Sequence, residues 1–312
     1  MKVRCKCPVC ESEGNFRYIK TKLYMANTVE SDRHVKDYEW KAPDCERIRP
    51  LNYMIWYCGS CHFCDEMEAY RGRDKASSSL LGLIKSKFYT ATRKREHLAQ
   101  RLGAAIDLKR EIISSESALT AYLLGASIQE LLSPKTRHFG KLGRFYLRAA
   151  WIYRERQDQP PDQYAAPAGF SDIESFLASF EEEWPAVPLN EQEALRLCFD
   201  NYQTALENFE RGADTRRELE TMFLLTDLLE RMGKAEESMV YVRQCHKLAS
   251  EEKQGTHRTL NSPAINKMHP SEIEKLNGLE QWLGHAIERA KILSYRLKEV
   301  LEGEGGDSGN DD

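Results

Sequence analysis

The sequence predicts an α+β chain in which a small β-rich module, residues 1–75, precedes an all-α domain, residues 79–302, and a short acidic tail, residues 303–312. Three observations carry this reading. Seven of the nine cysteines occur by residue 64, short aromatic and β-branched runs are confined to the same stretch, and from Ser78 onward Ala, Leu, Glu, Lys and Arg recur at helical spacing. At 312 residues with 41% hydrophobic and 30% charged side chains, the chain has enough apolar material for packed cores and enough length for two domains.

In the first module, Phe16 to Tyr24 and Leu51 to Tyr57 read as strands, and each adjoins a cysteine pair. The texture changes between Gly72 and Ser79, where the boundary is expected. Ser115 to Leu132 places Leu119, Tyr122, Leu123, Ala126 and Leu131 on one helical face, and Ser133-Pro134 ends it by removing a backbone donor. Leu142 to Arg156 follows with a wide apolar face of Phe145, Tyr146, Ala149, Ala150, Ile152 and Tyr153. Gln157 to Gly169, with three prolines, reads as a linker. Asn190 to Arg211 is the next helix. Arg216 to Met232 and Ala235 to Glu251 then form a helical hairpin turned at Gly233, a residue free to adopt positive φ. Gln254 to Met268 is polar and expected to be mobile, and Pro270-Ser271 with Glu274 forms a capping box for a helix to about Val300. The tail GEGGDSGNDD has nothing to bury and is expected to be disordered.

The cysteines carry the clearest chemistry. Cys7-Pro8-Val9-Cys10 and Cys58-Gly59-Ser60-Cys61 each place two thiolates on one tight turn, and the two turns together supply four soft ligands. Two such knuckles with strands between them are the pattern of a zinc ribbon, so one structural Zn²⁺ per chain is expected, although the same thiolates suit iron. A small β module with few large aliphatics needs such a staple. Cys5, Cys45 and Cys64 lie nearby, and Cys61-His62-Phe63-Cys64 repeats the spacing; Cys45, Cys64, His34 and His62 would formally make a second four-donor set or a reactive thiol, against the plainer reading of free or packed thiols. A catalytic zinc would need an acid or base such as Asp32, His34 or Glu66 beside an open position. No metalloprotease, phosphate-loop, dinucleotide or nucleophile-elbow motif is present, so no enzyme activity is expected and no catalytic residue is assigned.

Charge is segregated. Residues 1–110 hold 22 Lys+Arg against 14 Asp+Glu, whereas the whole chain has a net charge of −4. Lys85, Lys87, Arg93, Lys94 and Arg95 make a basic stretch able to meet a polyanion, while Leu98, Leu102 and Ile106 in the same segment favour an amphipathic helix with a solvated basic face. Neither an apolar leader core nor a membrane-length apolar run occurs, which places the expected location in the cytoplasm without membrane association.

On Cys7-Pro8-Val9-Cys10, on Pro50-Leu51-Asn52-Tyr53 running into Cys58 and Cys61, and on Leu147 to Arg154, the chain resembles an uncharacterised bacterial family, a domain of unknown function joining a CPxC-type zinc ribbon to tetratricopeptide-like helices. Arg216 to Ser250 is also similar to one tetratricopeptide repeat, with Gly233 in the turn and Ser238 and Cys245 where that repeat places alanines; Thr226 replaces its usual glycine. The resemblance implies a fold and four metal ligands but no reaction. The function expected is therefore a non-enzymatic zinc-containing adaptor binding a protein through its helices. The alternatives are a nucleic-acid-binding protein using the ribbon and the basic 85–110 segment, or a zinc or thiol enzyme.

Overall fold

A computed structural model describes residues 1–42, 45–71, 88, 93, 95–132, 137–157, 172–208 and 214–304. Three antiparallel two-stranded sheets come first: β1 (Lys2–Lys6) with β2 (Glu13–Arg17), β3 (Tyr24–Val29) with β4 (Val35–Trp40), and β5 (Ile55–Tyr57) with β6 (Cys64–Glu66). Short 3-10 turns at Thr21–Leu23 and Pro50–Tyr53 join them, and Met67–Tyr70 forms a single helical turn, α1. The helices that follow are α2 (Glu96–Ala104), α3 (Ser115–Leu131), α4 (Phe139–Gln157), α5 (Ile173–Ala178), α6 (Glu191–Glu207), α7 (Thr215–Arg231), α8 (Ala235–Leu260) and α9 (Pro270–Glu304). The α+β class is as the sequence predicts.

The chain divides into two compact units, Met1–Asn201 and Tyr202–Asp312, so the cysteine module and helices α2 to α5 share one unit. The change of texture at 72–79 falls outside the described residues, as do most of the tail and the expected linker Gln157 to Gly169 apart from Gln157, which ends α4.

In the first unit, Phe16 stacks on Trp56 at 4.7 Å between ring centroids, and Tyr70 closes over both. This aromatic layer continues into α3, a helix buried on nearly every side because β5, β6, the Pro50–Tyr53 turn and α4 surround it. Ser114 caps its N-terminus by accepting the Ser117 amide at 3.2 Å, which satisfies one of the orphan donors of the first turn. Tyr122 buries its ring yet keeps its hydroxyl bonded, donating to the Leu51 carbonyl at 2.8 Å. Gly125 lets α4 approach, since a Cβ there would lie 3.1 Å from the Phe145 ring.

Charged residues also bind the β module to α4. The Lys141 ammonium meets the Asp65 carboxylate at 3.0 Å with both side chains almost fully buried, while Arg144 grips Glu66 through two bonds of 2.9 Å and Arg148 adds a third contact. Burial alone would raise the Glu66 carboxyl, but Arg148 and Arg144 outweigh it and hold it at about 2.

In the second unit, α7, α8 and α9 share a core of Leu219, Met222, Phe223, Met239, Val242, Cys245, Leu283, Ala290, Leu293 and Leu297. The turn at Gly233 has φ +72°, as expected of a helix stop that only glycine enters without strain. In the first unit the runs Phe16 to Tyr24 and Leu51 to Tyr57 are strand only in part, because Thr21–Leu23 forms a 3-10 turn between β2 and β3 and Pro50, with its fixed φ, starts a 3-10 turn through Tyr53 ahead of β5. Two boundaries in the second unit also differ from the sequence reading. Helix α8 continues to Leu260 instead of ending near Glu251, because packing against α9 and back-bonds such as Thr259 Oγ1 to the Gly255 carbonyl sustain a polar segment. Helix α9 is capped by His269, whose amide donates to Glu272 and whose Nδ1 faces the Ser271 amide, instead of by Ser271 with Glu274.

The buried Lys141–Asp65 pair makes a direct prediction. Lys141→Met should destabilise the first unit by about 3 to 5 kcal/mol, because a carboxylate is left buried without its partner. Lys141→Met with Asp65→Asn should recover more than half of that loss in denaturant melts.

Candidate metal centre

The two knuckles are built alike. In the first, the Cys7 amide donates to the Ser12 carbonyl at 2.9 Å and the Glu11 amide to the Cys7 carbonyl at 3.0 Å; in the second, Cys58 donates to Phe63 and His62 to Cys58, each at 2.8 Å. The residue after each second cysteine turns left-handed, Glu11 and His62 both at φ 62°. For side chains with a Cβ this costs about 1 to 2 kcal/mol, a strain that the closed turn must offset. The reward is geometric: each turn aims both sulfurs inward, and the Val9 amide lies 3.4 Å from the Cys7 sulfur, where it stabilises negative charge.

Folding brings the turns together across 48 and 54 residues. Cys7 Sγ lies 3.7 Å from Cys61 Sγ, Cys10 Sγ lies 3.6 Å from Cys58 Sγ, and all four sulfurs fall within 4.8 Å of one another. A tetrahedron with metal–sulfur bonds of 2.3 Å has edges of about 3.8 Å, so the spacing fits one tetrahedral cation. The four residues can hold a metal ion, as the sequence predicts.

Thiols this close cannot all ionise unaided. Hydrogen bonding to Cys58 pushes the Cys7 thiol up to about 12 and the Cys61 thiol higher still. Contacts from Cys61 and Cys7 in turn hold Cys58 down as the thiolate. A dication reverses this balance by stabilising thiolates together. Ser12, which the sequence reading passed over, joins the centre: its hydroxyl lies 3.0 Å from Cys10 Sγ and 3.2 Å from Cys58 Sγ, placed to donate to thiolate sulfur. A serine two places after a cysteine pair has no distinctive sequence signal.

The remaining candidates do not assemble into a second centre, and among the described residues no other group of three or more His, Cys, Asp or Glu side chains places its ligand atoms so as to hold one metal ion. Cys64 is buried and donates to the Ala121 carbonyl at 3.1 Å, with burial pushing its thiol well up. Cys45 lies half-buried in a short turn, and Cys5 is half-buried on β1 opposite Gly14. His62 pairs with the Tyr57 hydroxyl at 2.7 Å against Gly103, where a Cβ would come within 2.7 Å of its ring. His34 joins a separate buried network with Glu30 and Glu155.

Of the basic stretch, Lys85, Lys87 and Lys94 lie outside the described residues. Arg93 is exposed, and Arg95 sits 3.7 Å from Glu130, mostly covered. Glu130 also accepts from the Trp184 indole at 2.7 Å and from the Tyr146 hydroxyl, so Arg95 is part of a packed polar cluster. No helix of the described residues is long and apolar enough to cross a membrane.

Two outcomes follow for the centre. Because at least two raised thiols must lose protons, cation affinity should fall about a hundredfold for each pH unit of acidification near neutrality, measured by competition with a chromophoric chelator; a flat profile would contradict a thiolate shell. Ser12→Ala should retain the cation but weaken its affinity about tenfold, the usual scale for loss of an outer-sphere hydrogen bond.

No curated protein and no solved structure matches the chain. A family model matches residues 1–269, which covers both the cysteine centre and helices α2 to α8. The chain therefore belongs to the family described as an uncharacterised protein conserved in bacteria, DUF2225.

Proposed function

We propose that the chain is a non-enzymatic adaptor in which a structural Zn²⁺, held by Cys7, Cys10, Cys58 and Cys61, stabilises the first unit while the helices of the second bind a protein partner. The observation that carries this reading is the four-sulfur shell. Four thiolates fill a tetrahedron and leave no position for a substrate or an activated water, and all-sulfur coordination suits zinc.

The second unit supports the partner role through its form. Helices α7 and α8 make a hairpin of tetratricopeptide-like character, with Ser238 and Cys245 fully buried where that repeat uses small residues and the Ser238 hydroxyl bonded to the Thr226 carbonyl. On α9, Ile292 and Tyr295 are 65% and 70% exposed, one turn apart. Such amphipathic helices recognise peptides and other helices through exposed apolar and aromatic anchors.

Elemental analysis of protein purified without chelators should give one zinc per chain. Full-length protein and an Ile292→Glu, Tyr295→Glu variant should then be compared in native pull-downs with nuclease present. The proposal expects a protein that stays bound in wild type and is reduced at least tenfold by the variant. If the associated material is instead nucleic acid whose binding weakens steeply with salt, the adaptor reading fails and polyanion binding replaces it.

A further inference from the structure

The connection between β3 and β4 is tied down by charge. Its turn closes through the Glu30 amide on the His34 carbonyl at 2.8 Å and the Arg33 amide on the Glu30 carbonyl at 2.9 Å. The His34 ring, 4% exposed, has Nδ1 2.6 Å from Glu30 Oε2 and Nε2 3.0 Å from Glu155 Oε1 on α4. A neutral imidazole carries one N–H, so its other nitrogen would turn a lone pair on a carboxylate. With Glu30 and Glu155 ionised, both contacts are hydrogen bonds only when the ring carries two protons.

The surroundings make that proton matter. From the turn itself, Asp32 is fully buried and accepts the His34 amide at 3.2 Å, while Arg33 points to solvent. From α4 come Glu155, Arg154 and Trp151; from α6 comes Glu191; and Tyr38 of β4 lies within electrostatic reach of Glu155. Arg154 bonds Glu30, Asp32 and Glu191 at 2.5, 2.8 and 2.7 Å, so one guanidinium already serves three carboxylates. Together with Glu155, these carboxylates face Arg154 and, when it is charged, His34. The second oxygen of Glu155 is buried with no hydrogen-bond partner among the described residues, which leaves that carboxylate dependent on His34.

We propose that the β3–β4 hairpin is a proton-held latch: its tip docks on α4 and α6 only while His34 is an imidazolium, and loss of that proton releases the tip and uncovers Trp151 and Arg154. The strands of the hairpin are otherwise mostly exposed, so the tip is a principal attachment. Burial by itself would lower the His34 value, but the bonds to Glu155 and Glu30 outweigh it and the net shift is upward. The sign follows from linkage. A raised folded value means that docking is complete below the ordinary histidine value of about 6.5 and is lost as pH rises through the higher folded value.

The test uses the full-length protein and NMR from pH 5.5 to 9. The His34 ring should titrate above the ordinary value, and the Trp151 indole N–H, held on Asp32 Oδ2 at 3.1 Å when docked, should shift toward its solvent-exposed position with the same midpoint. Glu155→Gln should lower that midpoint by about one unit, a tenfold change in the docking equilibrium. In His34→Gln the Trp151 signal should not depend on pH. A wild-type His34 that titrates at or below the ordinary value, or a Trp151 resonance that stays docked throughout, would overturn the latch without reliance on any variant's folding.

Discussion

The closure of four cysteine sulfurs from two distant turns is the constraint on which the first unit depends. Cys7 and Cys10 must meet Cys58 and Cys61 across about fifty residues whose described strands are β2 to β5, of which only β3 and β4 pair with each other, and isolated hairpins of this size are marginal in water. Closing such a loop costs entropy that little local hydrogen bonding can offset, whereas a cation held by the four sulfurs would supply folding free energy at the point of closure. Once closed, the turns place β5 beside the Phe16–Trp56–Tyr70 layer, and that layer meets α3. The left-handed Glu11 and His62 are tolerated because this closure holds them.

Around that centre, ion pairs replace much of the apolar packing that a β module of this size lacks. Asp65 with Lys141, and Glu66 with Arg144 and Arg148, join β6 to α4, and Arg154 of α4 meets Glu30 and Asp32 at the turn between β3 and β4. Asp65, Lys141 and Glu66 each face a partner of opposite sign, the condition under which burial is tolerable. Helix α4 thus carries apolar side chains into the core on one face and cations toward the cysteine module on another. This accounts for the module and the first helices forming one compact unit.

The ligands were legible because a metal imposes spacing: Cys-x-x-Cys twice, with strands between, has few other uses. The long helices were legible from apolar periodicity, and the Gly233 turn from glycine's freedom at positive φ. The buried charges were not. Nothing in the spacing of Leu142 to Arg156 assigns Arg154 and Glu155 to the interior, and only tertiary contact with Asp32, His34 and Glu30 shows why they are covered. Polar α8 beyond Glu251 is held by α9, a neighbour that periodicity within one segment cannot reveal. The same limit hid Ser12, whose role exists only once Cys58 arrives beside Cys10.

The central claim, a closed four-sulfur shell around one zinc, is tested most directly by X-ray absorption at the zinc edge on the full-length protein. The account predicts four sulfur neighbours at about 2.3 Å and no nitrogen or oxygen in the first sphere. A best fit with three sulfurs and one lighter ligand would contradict it, because an open or histidine-bound position would then exist where the four cysteines are held to complete the tetrahedron.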